Sequence, residues 1–296
     1  MSLCANLPRE HRHVLSVDVE DYFQVEAFVD EVDTSTWDSW PSRVEANTNR
    51  VFDLFDRHQV NGTFFFLGWV AERFPQLVRR ALADGHEVAC HSYWHQAIYR
   101  LTPDQFHDDT ERSMDVLEQA SGTRVRGYRA PSWSITPKSL WALEILRNLG
   151  FSYDSSIFPI HHDLYGVPGA RRFPYVHVFA DGSRLPEFPP TTVHFAGATL
   201  PAAGGGYLRF LPLAYTDWAF HQVENDHQRV VVYFHPWELD PEQPRIHAKM
   251  RSRFRHYSNL KHMQSHVEHL LQNYSFVPFR DVVTAEKDRL TPRVVA

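Results

Sequence analysis

The sequence predicts an α/β fold, a mostly parallel sheet or barrel with an irregular insertion at about 157–209. Three observations predict it. Short β-branched and apolar runs alternate with runs of helical period through the first half of the chain. The alternation breaks near residue 157, where Pro, Gly and aromatic residues dominate, and resumes near residue 212. Five expected strands each end in an ionisable residue, and catalytic groups of parallel barrels collect at the C-terminal ends of strands.

The elements follow in order. "HVLSVDVE" (13–20) is a Val-rich strand, and "PSRVEANTNRVFDLFDRH" (41–58) has helical spacing with Pro41 at its start. "GTFFFLG" (62–68) is a buried strand; "VAERFPQLVRRALADG" (70–85) is a single helix with Pro75 near its first turn and Gly85 as its stop. After the strand "HEVAC" (86–90), the run 102–122 is a helix with Thr102 as N-cap, Pro103 at the first helical position and Gly122 as its end. "VRGYR" (125–129), a helix over 136–150 and the strand "FSYD" (151–154) complete the first half. Beyond the insertion come a helix at about 212–225, the strand "RVVVYF" (229–234), a tail at about 239–296 with a polar helix at 258–272, and "FVPFRDVV" (276–283) as a late strand. No fixed-period repeat or low-complexity tail interrupts the chain, so a single domain over 1–296 is expected.

Composition is that of an ordinary globular protein, 43% hydrophobic and 22% charged over 296 residues. The formal charge of −6 argues against a nucleic-acid or anionic-membrane partner. Cys4 and Cys90 make no disulfide framework and no zinc knuckle. The N-terminal stretch has no apolar core of signal-peptide length and no run reaches the ~20 apolar residues of a spanning helix. The expected location is therefore cytoplasmic, with the inner face of the membrane as the variant of that reading.

Nineteen histidines make short His motifs weak evidence. Two pairs stand four residues apart, His91/His95 and His262/His266; the second lies on a polar helix face and is set aside, as is "HHD" (161–163) in the insertion. Position is more informative. The first strand runs into Asp18, Glu20 and Asp21, "HEVAC" into His91 and His95, "VRGY" into Arg129, "FSY" into Asp154 and "VVVYF" into His235. Two imidazoles and a carboxylate leave a coordination position for water on a divalent ion. A second carboxylate, a separate His and an Arg add a base, an acid and a clamp. Such a set suits metal-assisted hydrolysis of an amide or ester.

Four segments, "GTFFFLG", "GHEVACHSYWH" (85–95), "RGYRAPSW" (126–133) and "VVYFHPWE" (231–238), resemble in order the motifs of the polysaccharide deacetylase family of carbohydrate esterases, relatives of the nodulation chitooligosaccharide deacetylase. "VDVEDYFQV" and the tail after "HPWE" resemble the subfamily found with exopolysaccharide and exosortase loci. The resemblance implies an irregular (β/α) barrel, one divalent metal ion (zinc first, with cobalt, nickel or manganese as alternatives) and an N-acetylated carbohydrate substrate. It implies that His91 and His95 ligate the metal, that Asp18 is the general base held by Arg129, and that His235 is the general acid oriented by Asp154. Pro131 and Ser132 then shape the pocket and offer a backbone N–H to the oxyanion, and Trp133 walls the sugar site. The first motif departs from the family's paired aspartates: the run is Asp18-Val19-Glu20-Asp21. Strand alternation puts Asp18 and Glu20 on one face, which makes Glu20 the third ligand and Asp21 its rival. Two other readings stand beside deacetylation: a cyclic amide or ureide hydrolase on the same barrel, and a non-catalytic glycan-binding component.

Overall fold

Strand β1 (His13–Val19) is buried along its whole length, as its Val- and Leu-rich run requires of a strand covered on both faces. The computed structural model describes residues 12–294 apart from 203 and 287. Cys4 and the N-terminal stretch on which the location was judged lie outside the described residues. Helix α1 (Val44–His58) leads to β2 (Thr63–Phe66), α2 (Gly68–Arg73), α3 (Pro75–Ala83), β3 (Glu87–Cys90), α4 (Pro103–Ser121), β4 (Gly127–Tyr128), α5 (Ala142–Leu149) and β5 (Tyr153–Asp154). Next come β6 (Tyr175–Val178), β7 (Arg184–Glu187), β8 (Thr192–Phe195), β9 (Ala198–Pro201), α6 (Gly205–Phe210), α7 (Leu213–Asn225) and β10 (Val231–Phe234). The chain ends with α8 (Met250–Tyr257), α9 (Leu260–Asn273), β11 (Phe276–Val277), α10 (Phe279–Glu286) and β12 (Thr291–Val294).

The main sheet runs β10-β1-β2-β3-β4-β5-β7-β6-β12, with β11 also paired to β1. Every pairing in it is parallel except β6 with β7. Among the described residues no ladder joins the two ends of this order. Alternate residues divide the apolar side chains between two faces. Leu15, Val17, Phe64, Phe66, Val88, Cys90, Tyr128 and Val232 pack with the helices, whereas Val14, Phe65, Ala89, Tyr153 and Val231 pack inside the curved sheet with Phe279 and Val282 of α10.

Local chemistry explains where the helices start and stop. Thr102 and Gln105 form a capping box at the start of α4, Pro103 takes its first position, and Gly122 ends it at φ 69°. The helix expected over 70–85 is instead α2 and α3, broken at Phe74 (φ −127°, ψ 55°), because Pro75 lacks an N–H and bars the helical conformation to the residue before it. The strand expected over 276–283 is a correction of the same kind: Pro278 ends β11 after two residues and α10 begins at Phe279. Buried Glu87 accepts from the Arg280 N–H at the start of α10 at 2.8 Å, and also from the Thr63 and Tyr153 hydroxyls. A carboxylate there suits the positive end of a helix dipole and closes the barrel floor.

Segment 157–209 is less of an overlay than expected. Its β7 extends the sheet beside β5, with Glu187 paired to Asp154, and β6 adds to β7; only β8 and β9 form a separate hairpin. Helix α8 was not anticipated.

Gly127 faces the inside of the sheet against the Tyr153 ring, and a Cβ placed there would lie 2.2 Å from its Cζ and hydroxyl. Gly127→Ala should therefore lower stability by about 1–3 kcal/mol, read as a fall in the urea midpoint.

Candidate active site

The inner-face parity that buries Val14, Phe65 and Ala89 carries forward past the strand ends. Asp18 and Glu20 after Val14, His91 after Ala89, and His235 after Val231 all share the inner register, and Arg129 takes it on β4 because Tyr128 faces the helices. A one-residue slip in any strand would turn its group away from the others.

Glu20, His91 and His95 each offer a ligand atom, all within 4.8 Å of one another, and all three residues are buried. Glu20 Oε2 faces His95 Nε2 at 2.7 Å, while its Oε1 accepts from the Trp237 indole N–H at 3.0 Å. His91 Nδ1 is 2.8 Å from the Arg129 carbonyl, which can only accept; Nδ1 therefore carries the proton and Nε2 is left as a donor atom for a metal. Burial pulls the His91 pKa down to about 4, so the ring is neutral as a ligand must be. Burial would raise the Glu20 carboxyl, but the His95 and His235 charges outweigh it and hold the group well below the carboxylate range.

The four-residue spacing of His91 and His95 does not arise from a helix. Residues 91–97 form a turn in which Ser92 (φ 65°) and His95 (φ 51°) are left-handed, a conformation that costs non-glycine residues energy. Asp109 from α4 holds that turn by accepting from the Tyr93 and Trp94 N–H groups at 2.8 and 3.1 Å.

Asp21 is not drawn into this cluster. One of its oxygens accepts from the Ser42 hydroxyl and the Arg43 and Val44 N–H groups at the start of α1, and the other from the Tyr22 N–H. With its lone pairs used in capping α1, Asp21 stays outside the Glu20–His91–His95 cluster.

Beside the triad, Arg129 NH1 donates to Asp18 Oδ1 at 2.6 Å and to Ser16 Oγ at 2.8 Å, with Arg129 fully buried. Asp18 Oδ2 lies 3.9 Å from His235 Nε2. The other His235 nitrogen, Nδ1, meets Glu238 Oε2 at 2.9 Å, and Glu238 Oε1 accepts from Arg209 Nε at 2.6 Å. Burial opposes a charge on His235, but Glu20, Glu238 and Asp18 together push it up to about 9. Arg209 and His235 hold Glu238 down to about 2 against its own burial.

Here the geometry corrects the expectation for Asp154. Tyr153 takes the inner register, so Asp154 points to the other face, where it receives the Ser156 hydroxyl at 2.5 Å. It shares that face with Glu187 and His177, and no hydrogen bond or ion pair joins it to His235 among the described residues. Glu238 orients His235 instead. Its signal was in the sequence, because Glu three residues after a capping position is a recognised pattern, and here the His235 backbone N–H donates to Glu238 Oε2 at 2.9 Å. Trp237 stood unassigned in the same motif. Arg209 carried no signal, lying 29 residues from its partner in a glycine-rich stretch.

A cleft of about 190 Å³ opens on these groups, lined by Asp18, Glu20, His91, His95, Ser132 and His235 among others. Ser132 and Trp133 are left-handed (φ 52° and 55°). Trp133 lines the cleft edge-on to Tyr233 and Phe158, 5% exposed, while Pro131 is buried behind it.

Asp154 and Glu187 form a fully buried carboxyl pair; burial raises both, Glu187 to about 7. A carboxyl raised in the folded state stabilises below its unfolded pKa and loses that contribution as pH rises through its folded value. Wild type should lose stability relative to Glu187→Gln between about pH 4.5 and 7, seen in urea midpoints across that range; parallel profiles would refute the pairing.

A family profile described as "Polysaccharide deacetylase" matches residues 30–153, and one described as "Domain of unknown function (DUF3473)" matches 155–284. A peptidoglycan-N-acetylglucosamine deacetylase of Bacillus cereus is 31% identical over 98 residues, 33% of this chain and 36% of the relative. A chitooligosaccharide deacetylase of Bradyrhizobium is 30% identical over 99 residues, 33% of this chain and 43% of the relative. The chain thus spans 36–43% of the length of the first curated relatives it matches. A solved structure from Mycobacterium smegmatis, titled as a polysaccharide deacetylase by assignment, superposes with a TM-score of 0.63 at 20% identity, covering 99% of this chain and 96% of that one. That likeness is one of fold.

Proposed function

We propose, from the premise that the chain carries a polysaccharide deacetylase domain over residues 30–153, that it is a metal-dependent hydrolase removing N-acetyl groups from amino sugars of a polysaccharide or its precursor. The observation that carries this reading is that Asp18 and His235 line the same cleft as the Glu20–His91–His95 cluster, with His235 Nε2 within 3.9 Å of Asp18 and 3.6 Å of Glu20. Two imidazoles and a carboxylate are the donor set of a catalytic zinc site, which puts zinc ahead of cobalt, nickel and manganese. When bound, such an ion supplies Lewis acidity to water and to the amide carbonyl. Asp18, with Oδ1 tied to Arg129, keeps Oδ2 to take a proton from the attacking water. His235, protonated and steadied through Nδ1 by Glu238, delivers a proton from Nε2 to the departing nitrogen. The backbone N–H near Ser132 meets the oxyanion, and Trp133 supports the wall of the sugar subsite. Exopolysaccharide assembly is the setting that the resemblance of "VDVEDYFQV" favours.

Acetate release from N-acetylated oligosaccharides, measured together with metal content by elemental mass spectrometry, tests this reading. Asp18→Asn should cut turnover by about 10²–10⁴-fold with the metal retained. Glu20→Ala should lose metal and activity together, whereas Asp21→Ala should keep its metal and lose stability. Full activity in Asp18→Asn would remove the assigned base. Turnover of cyclic amides with no acetate release would move the substrate to that class, and glycan binding without turnover would leave a binding protein.

A further inference from the structure

Among the described residues, seven large hydrophobic side chains are exposed, and five of them gather at one rim. Val29, Leu164 and Phe210 line a groove of about 610 Å³ that shares Leu164, Tyr165, Tyr233 and Arg255 with the catalytic cleft. Phe254 of α8 stacks on Phe210 at 5.7 Å, and Met250 precedes it by one turn. Met250 is 86% and Phe254 63% exposed, values at which an apolar side chain gains nothing from the fold. Helix α8 buries one residue, His256, against Trp237 and Phe28, and Arg209 donates to its Arg255 and His256 carbonyls, while Met250 and Phe254 stay on the exposed side.

The same segment concentrates positive charge. Residues 244–267 contain no Asp or Glu, and Arg245, Lys249, Arg251, Arg253 and Arg255 fall within them. Asp30 pairs with Lys249, Asp163 lies against Arg251 and Arg255, and Glu31 is near Lys249; among the described residues Arg253 is exposed without a carboxylate partner. The overall charge of −6, which argues against an anionic membrane when averaged over the chain, does not describe this face.

We infer that the α8 rim docks on an anionic lipid surface, with Met250 and Phe254 entering the headgroup region and the arginines of α8 meeting lipid phosphates. Apolar residues flanked by Arg and Lys on one short amphipathic helix are the chemistry of an interfacial anchor. A hydrated glycan would account for the cations and for Phe254, but not for Val29, Leu164 and Met250, whose aliphatic surface gains from hydrocarbon and not from hydroxyl groups. Because the groove continues into the cleft, docking turns the mouth of the site toward the lipid headgroups. The inference stands apart from the proposed reaction, since its readout is binding.

Sedimentation of the full chain with vesicles of phosphatidylcholine, alone or mixed with phosphatidylglycerol, tests it. The bound fraction should rise with phosphatidylglycerol and fall with added salt. Met250→Ser with Phe254→Ser should bring binding to the level of phosphatidylcholine alone, and Arg251→Gln with Arg253→Gln should weaken it about tenfold or more. Both pairs lie outside the catalytic groups, and circular dichroism confirms folding. No sedimentation, equal sedimentation with the two vesicle types, or variants binding like wild type would each overturn the inference.

Discussion

Arg129 is a charge with no access to solvent, and much of the cleft is arranged around keeping it satisfied. Its NH1 donates to Ser16 and Asp18, its NH2 to the Ser155 hydroxyl and its Nε to the Ser155 carbonyl, while its guanidinium lies 4.1 Å from the centre of the Phe65 ring. Among the described residues only Asp18 brings an opposite charge into direct contact. Removing either partner of such a pair strands the other in a low-dielectric interior, at about 3–5 kcal/mol. The residue proposed to take the proton is thus also the counter-ion of the barrel interior. Its geometry is set by β1, β4 and β5 together, and the Arg129 carbonyl in turn fixes the His91 tautomer, so one backbone segment positions both base and ligand.

The two family matches divide the site along the chain. His91, His95 and Arg129 fall within 30–153, whereas Arg209, His235, Trp237 and Glu238 fall within 155–284; Asp18 and Glu20 precede both matched segments. The parts meet through β1, which pairs with β2 on one side and β10 on the other. That pairing sets Val17 beside Phe234, so the ends of the two strands bring Asp18 and Glu20 up to His235. A core that runs from Leu15 to Phe276 without a break fits this mutual dependence.

Much of this was readable in the sequence because strand parity is a hard constraint. Once the Val- and Phe-rich runs are taken as parallel strands, the residues two steps beyond the last buried inner position are committed to the same side, and Asp18, Glu20, His91, Arg129 and His235 obey that rule. Applied to "FSYD", the same rule puts Tyr153 inside and sends Asp154 to the opposite face; the expectation for Asp154 rested on resemblance and overlooked the parity. The failures elsewhere have equally local causes. Pro75 and Pro278 each end an element that the apolar period alone would carry on, and Asp21 is a rival ligand in the sequence because its use as a cap for a helix more than twenty residues away appears only in three dimensions. Arg209 has its carboxylate and carbonyl partners at positions 238, 255, 256 and 258, a convergence that no local pattern announces.

Glutamate at position 20 brings a requirement that a shorter carboxylate would not. An extra methylene gives the side chain another rotatable bond, and an unrestrained Glu loses more rotamer entropy on being fixed than Asp does. The structure supplies the restraint from the far half of the chain: Trp237 donates its indole N–H to Oε1, and the indole itself is clamped between His235 at 5.2 Å and His256 at 4.1 Å in near-parallel stacks. With Oε1 held, Oε2 is left facing His95. The departure of the first motif from paired aspartates and the tryptophan two residues after His235 therefore belong together, since the longer ligand is precise only where the indole fixes it. His256 belongs to α8, so the helix that carries the basic and apolar rim also completes the stack behind Glu20, and a displacement of α8 reaches the proposed metal ligand through one aromatic stack and one hydrogen bond.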